Sequence, residues 1–201
     1  SPDDMHNRMA KEFARIENDY TLRYDLNGGA KFLSEYGQKR GPLTEEKIYN
    51  LFKGFGYIIP QGSVMSSLGN HYKLASLSNC IVVPEIHDSY GGVFYTDQQL
   101  AQLFKRRCGV GVDISTLRPS GAKVSNAAGS TSGAVSFMNR FSNTTREVAQ
   151  NGRRGALMLS MDIAHPDVED FITIKQDLQK VTGANISIRL SDEFMKAVDN
   201  N

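Results

Sequence analysis

The chain reads as an α/β protein: about five short, mainly parallel strands with helices packed outside them, behind an N-terminal helical segment. Three observations predict this. Short apolar runs recur at 57–60, 81–83, 110–114, 156–161 and 185–190, set between glycines, prolines and polar turn residues. Stretches between several of these runs repeat apolar residues at helical spacing. Strand and helix therefore alternate, the pattern of a parallel sheet, in which the loops after the strands gather at one edge and tend to hold ligands.

Composition narrows the class. With 201 residues, 40% of them hydrophobic and 22% charged, the chain can bury a sizeable core, and the length favours one domain over two. A net charge of +1 gives no reason to expect nucleic acid or a membrane surface. No apolar run approaches the roughly 20 residues a spanning helix needs, and no signal peptide opens the chain. The two cysteines, Cys80 and Cys108, are too few for a disulfide scaffold, so reduced thiols and a cytoplasmic location are expected. The missing initiator Met and the stop inside a helical pattern at Asn201 read as a piece of something longer.

Taken in order, Ser1-Pro2-Asp3-Asp4 is a helix start, with Ser as cap, Pro at the first helical position and acids in the first turn. Met5, Met9, Phe13 and Ile16 continue it as a packing face, and Asn27-Gly28-Gly29 breaks it. A second helix begins at Thr44, shows Ile48, Leu51, Phe52 and Phe55 on one face, and ends at Gly54 and Gly56. Helical segment 1–56 then gives way to the strand-bearing part, 57–201. Between strands 57–60 and 81–83 lies a small, polar stretch read as a loop. Thr96 with Gln99 forms a capping box for a helix through Leu100, Leu103 and Phe104. Val135, Met138, Phe141 and Val148 mark the next helix, ending at Gln150-Asn151-Gly152. Pro166 opens another with Val168, Phe171 and Ile172, and Ser191 caps the last, with Phe194, Met195 and Val198.

The stretch Arg106–Gly133, RRCGVGVDISTLRPSGAKVSNAAGSTSG, organises the rest. After its strand it runs on in small and polar residues, and loops so long inside a domain are usually binding loops or disordered. Arg118, Pro119 and Lys123 favour binding, and Gly109 and Gly111 admit close backbone approach to an anion. Gln150-Asn151-Gly152-Arg153-Arg154-Gly155 is a second basic, glycine-flanked segment, suited to phosphate or base recognition or else a solvated turn. Asp88 either accepts from a ribose hydroxyl or caps the following helix. Cys80 is either a buried inert thiol or, beside Ser78 and Asn79, a thiol at a strand mouth that meets substrate. Cys108 reads as a small residue before a glycine. His165-Pro166-Asp167 has no second ligand at metal spacing and reads as a helix start. No phosphate-binding P-loop is present, and GVGVD lacks the third glycine of a dinucleotide fingerprint. The expected outcome is a common rim carrying Cys80 and both cationic segments.

Together, SLSNCIVVP around Cys80, RRCGVGVDISTLRPSGAKV, STSGAVSFM and QNGRRGALMLSMDIAHPDVEDFI resemble the large, catalytic subunit of ribonucleotide reductase, in order and from about Tyr57 to Asn201. The resemblance implies the first half of a ten-stranded α/β barrel. It implies that Cys80 supplies a reducing equivalent to the ribose 2′ position and becomes half of a redox-active disulfide. Ser63, Ser78, Asn79, Cys80 and Gly109 then hold substrate, with Ser63 near the phosphate. Asp88, Arg118 and Lys123, with Gln150 and Arg154 as readers on a second loop, belong to an allosteric specificity site for dNTP or ATP. The implied partners are the ribonucleotide, the effector, the remainder of the large subunit, a thioredoxin-type reductant, a radical-generating small subunit and a second copy in a homo-oligomer. The radical source implied is adenosylcobalamin or a metal-bearing small subunit, with no cofactor held by this chain alone.

The chain departs from the family pattern at three points. The Asn-x-Cys-x-Glu motif and the partner of Cys80 are absent, and Lys123 or Ser125 replaces a second effector-phosphate arginine. Without the first two, this chain alone is expected not to turn over. The rival readings are a non-catalytic nucleotide-sensing module using the same loops, and a nicotinamide-dependent dehydrogenase.

Overall fold

The computed structural model describes residues 1–26, 35–148 and 155–200. They divide into two compact units, Ser1–Leu77 and Ser78–Asn201.

The first unit is helical: α1 (Pro2–Leu26), α2 (Glu35–Arg40), α3 (Glu45–Phe52) and α4 (Gly62–Ser67). Local chemistry sets its helix starts. The Asp4 N–H donates to Ser1 Oγ at 3.2 Å, and Lys47 N–H donates to Thr44 Oγ1 at 3.3 Å. Met9, Ala10, Ile48 and Phe52 form the buried core, with Met5, Phe13 and Ile16 packed on it, as the methionine stripe predicts.

Two expectations fail in this unit. Residues 57–60 are not a strand: no neighbouring strand takes up the backbone, and Ile58 N–H instead donates to Leu51 O at 3.0 Å, folding the run onto the end of α3. The polar stretch after it is not all loop, because its first residues form α4, from which Arg8 on α1 takes the Met65 and Ser66 carbonyls. Residues 57–77 therefore belong with the helices, in the unit Ser1–Leu77.

The second unit alternates β1 (Cys80–Val82), α5 (Tyr90–Phe104), β2 (Gly109–Asp113), α6 (Met138–Glu147), β3 (Leu157–Asp162), α7 (Val168–Thr173), β4 (Asn185–Arg189) and α8 (Asp192–Asp199). Its four strands form one sheet in sequence order, every pair parallel, where about five strands were expected. The register pairs Cys80 with Gly109, Asp113 with Ser160 and Asp162 with Arg189.

Period-two alternation separates the two faces of the sheet. Val110, Val112, Leu157, Leu159 and Met161 are buried beneath Leu100, Phe104, Met138, Phe141 and Phe171 from the helices. Fully burying a side chain of this size stabilises by roughly 1.5–3 kcal/mol, so this layer holds the unit together. The opposite face carries Cys80, Gly109, Gly111, Asp113, Ser160 and Arg189, and among its apolar residues Val82 is 78% exposed and Met158 42%. Parallel sheets are ordinarily covered on both faces, so this open face is the inner wall expected of a partial barrel.

The start of α5 differs from expectation. Ser89, not Thr96, is the cap: its Oγ accepts from Gly92 N–H at 3.0 Å. Thr96 is buried within the helix. The start needs a glycine at 92, because a Cβ there would stand 2.0 Å from His87 O.

Candidate functional site

At the C-terminal edge of the sheet, the turns following β1, β2 and β3 meet, as the parallel topology predicts. Thr116 Oγ1 donates to Ile86 O at 2.7 Å, tying the second turn to the first. Arg118 Nε donates to Asp88 Oδ2 at 2.6 Å, and the Arg118 N–H reaches Asp88 Oδ1 at 3.3 Å. Ser89 caps α5 and Asp88 does not; the Asp88 carboxylate pairs with Arg118 instead. With Nε held, the remaining guanidinium donors keep only long contacts, to Lys123 O at 3.4 Å and Asp88 O at 3.3 Å. The fork is thus oriented but not consumed, the state in which arginine receives an oxyanion.

The long loop after β2 is an antiparallel hairpin. Lys123 bridges Ser130, Gly121 N–H donates to Thr131 O at 3.0 Å, Thr131 N–H donates to Ala122 O at 3.0 Å, and Val124 N–H donates to Gly129 O at 3.1 Å. Gly121 and Gly129 take positive φ at its bends. The hairpin walls a cleft of about 250 Å³ floored by Asp88 and Arg118. Ser125, Asn126 and Thr131 line it from the hairpin, and Tyr90 and Phe137 from the helical side. Rings, hydroxyls and one oriented guanidinium in a single cleft suit a flat base joined to a polyanion.

The thiol lies elsewhere. Cys80 is the first residue of β1 and is exposed on the open face, where a Cβ on Gly109 would stand 3.5 Å from its Sγ and 3.2 Å from Asn79 O. Glycine at 109 therefore keeps the space beside the thiol clear. Gly109 N–H donates to Asn79 O at 2.7 Å, and Ser78 Oγ donates to Cys80 O at 3.0 Å, fixing the backbone on either side. Cys108 is buried, its thiol donating to Gly109 O at 3.2 Å, in keeping with its reading as a small residue in a tight position.

An ion network crosses the other end of the open face. Arg189 reaches Asp162 at 3.0 Å and Asp113 at 3.2 Å, and Ser160 Oγ donates to Asp113 Oδ2 at 3.0 Å. Burial pushes the Asp113 carboxyl up, but hydrogen bonds from Ser115 and Ser160 and the Arg189 charge outweigh it, holding Asp113 below the ordinary value of 3.8. The Ala164 N–H, followed by Arg189, lowers Asp162 as well.

The expected common rim is therefore corrected for Cys80 and the first cationic segment. Cys80 begins its strand while Asp88 and Arg118 follow theirs, so in a parallel sheet the thiol and the cleft occupy opposite edges. Lys123 joins the cleft region through its carbonyl. Ser63 lies on α4 in the helical unit. Gln150 and Arg154 lie outside the described residues. Sequence reasoning passed over Tyr90 and Phe137, whose rings approach only in three dimensions, at 6.2 Å between centroids. It likewise passed over Arg189 as the strut between Asp113 and Asp162. Among the described residues no group of His, Cys, Asp and Glu is arranged to hold a metal ion, and no helix is long and apolar enough to cross a membrane.

Comparison with known proteins adds the following. Residues 78–201 match the family described as "Ribonucleotide reductase, barrel domain". The chain is 38% identical over 130 residues to a vitamin B12-dependent ribonucleoside-diphosphate reductase of Mycobacterium tuberculosis, covering 64% of this chain and 19% of that protein. It is 27% identical over 200 residues to ribonucleoside-diphosphate reductase large chain 2 of Saccharomyces cerevisiae, covering 92% of this chain and 22% of that one. The chain thus spans about a fifth of these curated relatives. A solved Actinobacillus ureae class Id ribonucleotide reductase alpha subunit superposes with a TM-score of 0.70 over 98% of this chain and 31% of that one. At 16% identity, that likeness speaks for the fold.

Proposed function

The chain belongs to the ribonucleotide reductase large-subunit family, and on that premise we propose that it carries two functional regions of a ribonucleoside-phosphate reductase. One is a nucleoside triphosphate effector cleft at the C-terminal edge of the sheet. The other is a ribose-facing thiol at the opposite edge.

The observation that carries the reading is the cleft between Asp88–Arg118 and the hairpin. Arg118 offers oriented donors to phosphate, Asp88 retains acceptor capacity for a ribose hydroxyl, and the Tyr90 and Phe137 rings offer a surface for the base. Lys123, Gln150 and Arg154 complete the proposed effector set. dNTP or ATP is the ligand class.

The proposed chemistry removes the ribose 2′-hydroxyl as water. Two thiols supply the two electrons and two protons and leave as a disulfide, which a thioredoxin-type reductant restores. Cys80 is one of the two thiols, supported by its exposure on the open face and the cleared space at Gly109. The other belongs to the remainder of the large subunit, because Cys108 is buried. Ser78, Asn79 and Gly109 of the second unit form the proposed substrate set beside the thiol. The radical that starts the reaction comes from adenosylcobalamin or a metal-bearing small subunit, and no described residue of this chain is assigned to either. The proposed setting is a cytoplasmic homo-oligomer.

An exposed thiol on the sheet face favours this enzyme reading over a non-catalytic nucleotide sensor, which has no use for one. The test is Cys80→Ser in the full-length protein. Loss of deoxyribonucleotide formation with nucleotide binding retained supports the enzyme; unchanged turnover supports the sensor.

A further inference from the structure

We propose that His165 and Asp167 are positioning residues for the effector hairpin, holding its base closed from the β3–α7 turn so that the cleft exists before nucleotide arrives. The proposal rests on reading that cleft as an effector site and adds a device by which the site is kept formed.

The geometry is specific. Asp167 is 7% exposed, yet its carboxylate faces the hairpin and not its own helix. It accepts the Ser120 N–H at 3.0 and 3.1 Å on its two oxygens and the Ala134 N–H at 3.0 Å. Ser120 and Ala134 lie on opposite sides of the hairpin's base. One carboxylate thus joins both ends of a segment whose other ties are its own short ladder and the long Arg118 contact to Lys123 O. His165, 8% exposed, takes the third point: its Nδ1 accepts the Asp167 N–H at 3.0 Å, so its ring hydrogen sits on Nε2 and is donated to Leu117 O at 2.8 Å. Leu117 directly precedes Arg118. The turn therefore fixes the hairpin and the residue before the effector-facing arginine together.

Gly133 shows how tight this junction is. It has φ +85°, and a Cβ there would stand 2.6 Å from Asp167 Oδ2 and 2.6 Å from Ser120 N. Glycine is required for the carboxylate to reach both amides. The Ala134 N–H is buried, and a buried N–H that loses its charged acceptor retains an unmet desolvation cost, while the part-buried Ser120 N–H loses the same carboxylate, so without Asp167 the base opens. An opened hairpin must be ordered by the ligand, and apparent affinity falls by the fraction of molecules that are closed.

The experiment compares Asp167→Asn, Gly133→Ala, Arg118→Ala and the surface control Asp170→Asn in the full-length protein. Affinity for dATP, dGTP and dTTP is read by calorimetry, and protection of the Ser120 and Ala134 amides by hydrogen exchange without nucleotide. Asp167→Asn keeps one acceptor oxygen but turns an amide NH2 toward an N–H. It is expected to deprotect both amides and weaken binding about tenfold or more, with β2 and α5 amides unchanged. Gly133→Ala, which reaches the junction from the other side, is expected to do the same and carries the test if Asp167→Asn does not fold. Asp170→Asn is expected to do neither. If Arg118→Ala abolishes binding while both junction variants bind as wild type, the cleft reading stands and the positioning role falls. If the wild type binds none of the three nucleotides, both fall.

Discussion

Replacing Arg118 separates a binding residue from a structural one, because the two roles carry different magnitudes. Its ion pair with Asp88 is short, at 2.6 Å, but the two side chains are 39% and 35% exposed. Pairs so exposed contribute about 0–1 kcal/mol to stability, so Arg118→Ala is expected to lower Tm by less than about 4 °C. The same side chain presents its remaining donors to the cleft, and a hydrogen bond to a charged group is worth about 1.5–3 kcal/mol. The loss of phosphate contact therefore predicts a roughly 10- to 150-fold rise in the Kd for a nucleoside triphosphate. Arg118→Lys keeps the charge but loses the Nε hold and the fork, so it is expected to fall between the two. Calorimetric titration with dTTP and dATP, beside a thermal melt of each variant, provides the assay. An unchanged Kd refutes the reasoning, and so does a collapse of the melt by ten degrees or more.

Three further outcomes test the frame around the site. Gly92→Ala forces a Cβ to 2.0 Å from His87 O, and the required backbone shift is expected to cost about 1–3 kcal/mol in urea unfolding; an unchanged midpoint contradicts the Ser89-capped start of α5. Gly109→Val crowds the space beside the Cys80 thiol and is expected to slow its alkylation several-fold in the folded protein, whereas an unchanged rate shows that the glycine does not keep the thiol clear. Arg189→Gln removes the charge that helps hold Asp113 and Asp162 below 3.8. Carboxyls lowered on folding contribute stability that is present above the ordinary value and is lost as pH falls through the depressed one. The gap between wild type and Arg189→Gln in urea unfolding is therefore expected at pH 6 and to shrink below about pH 3.8; a gap that widens there contradicts the network.

Much of the scaffold was legible because its causes are local. Ser1, Thr44 and Ser191 cap helices with their own hydroxyls, and the apolar runs at 81–83, 110–114, 156–161 and 185–190 find one another as strands. Tyr57–Pro60 shows the limit: an apolar run becomes a strand only where a neighbour takes its hydrogen bonds, and this one turns back on α3. The start of α5 was hidden because it depends on backbone geometry and not on residue pattern: Ser89 is held extended as the cap, and Gly92 packs against the His87 carbonyl five residues earlier. Asp88 and Arg118 stood out in the sequence as separate candidates, but their partnership spans 30 residues of sequence and only the fold supplies it. Asp167 was harder still. Its helix-start reading was sensible, yet its acceptors serve amides 47 and 33 residues away. The separation of Cys80 from the cleft was available in principle, since one residue opens its strand and the others follow theirs.

A crystal structure of the full-length protein with dTTP is the decisive measurement. The triphosphate is expected between Arg118 and the hairpin, its ribose toward Asp88, on the far edge of the sheet from Cys80. Triphosphate density against Gly109 and Cys80, with the hairpin cleft empty, would contradict it.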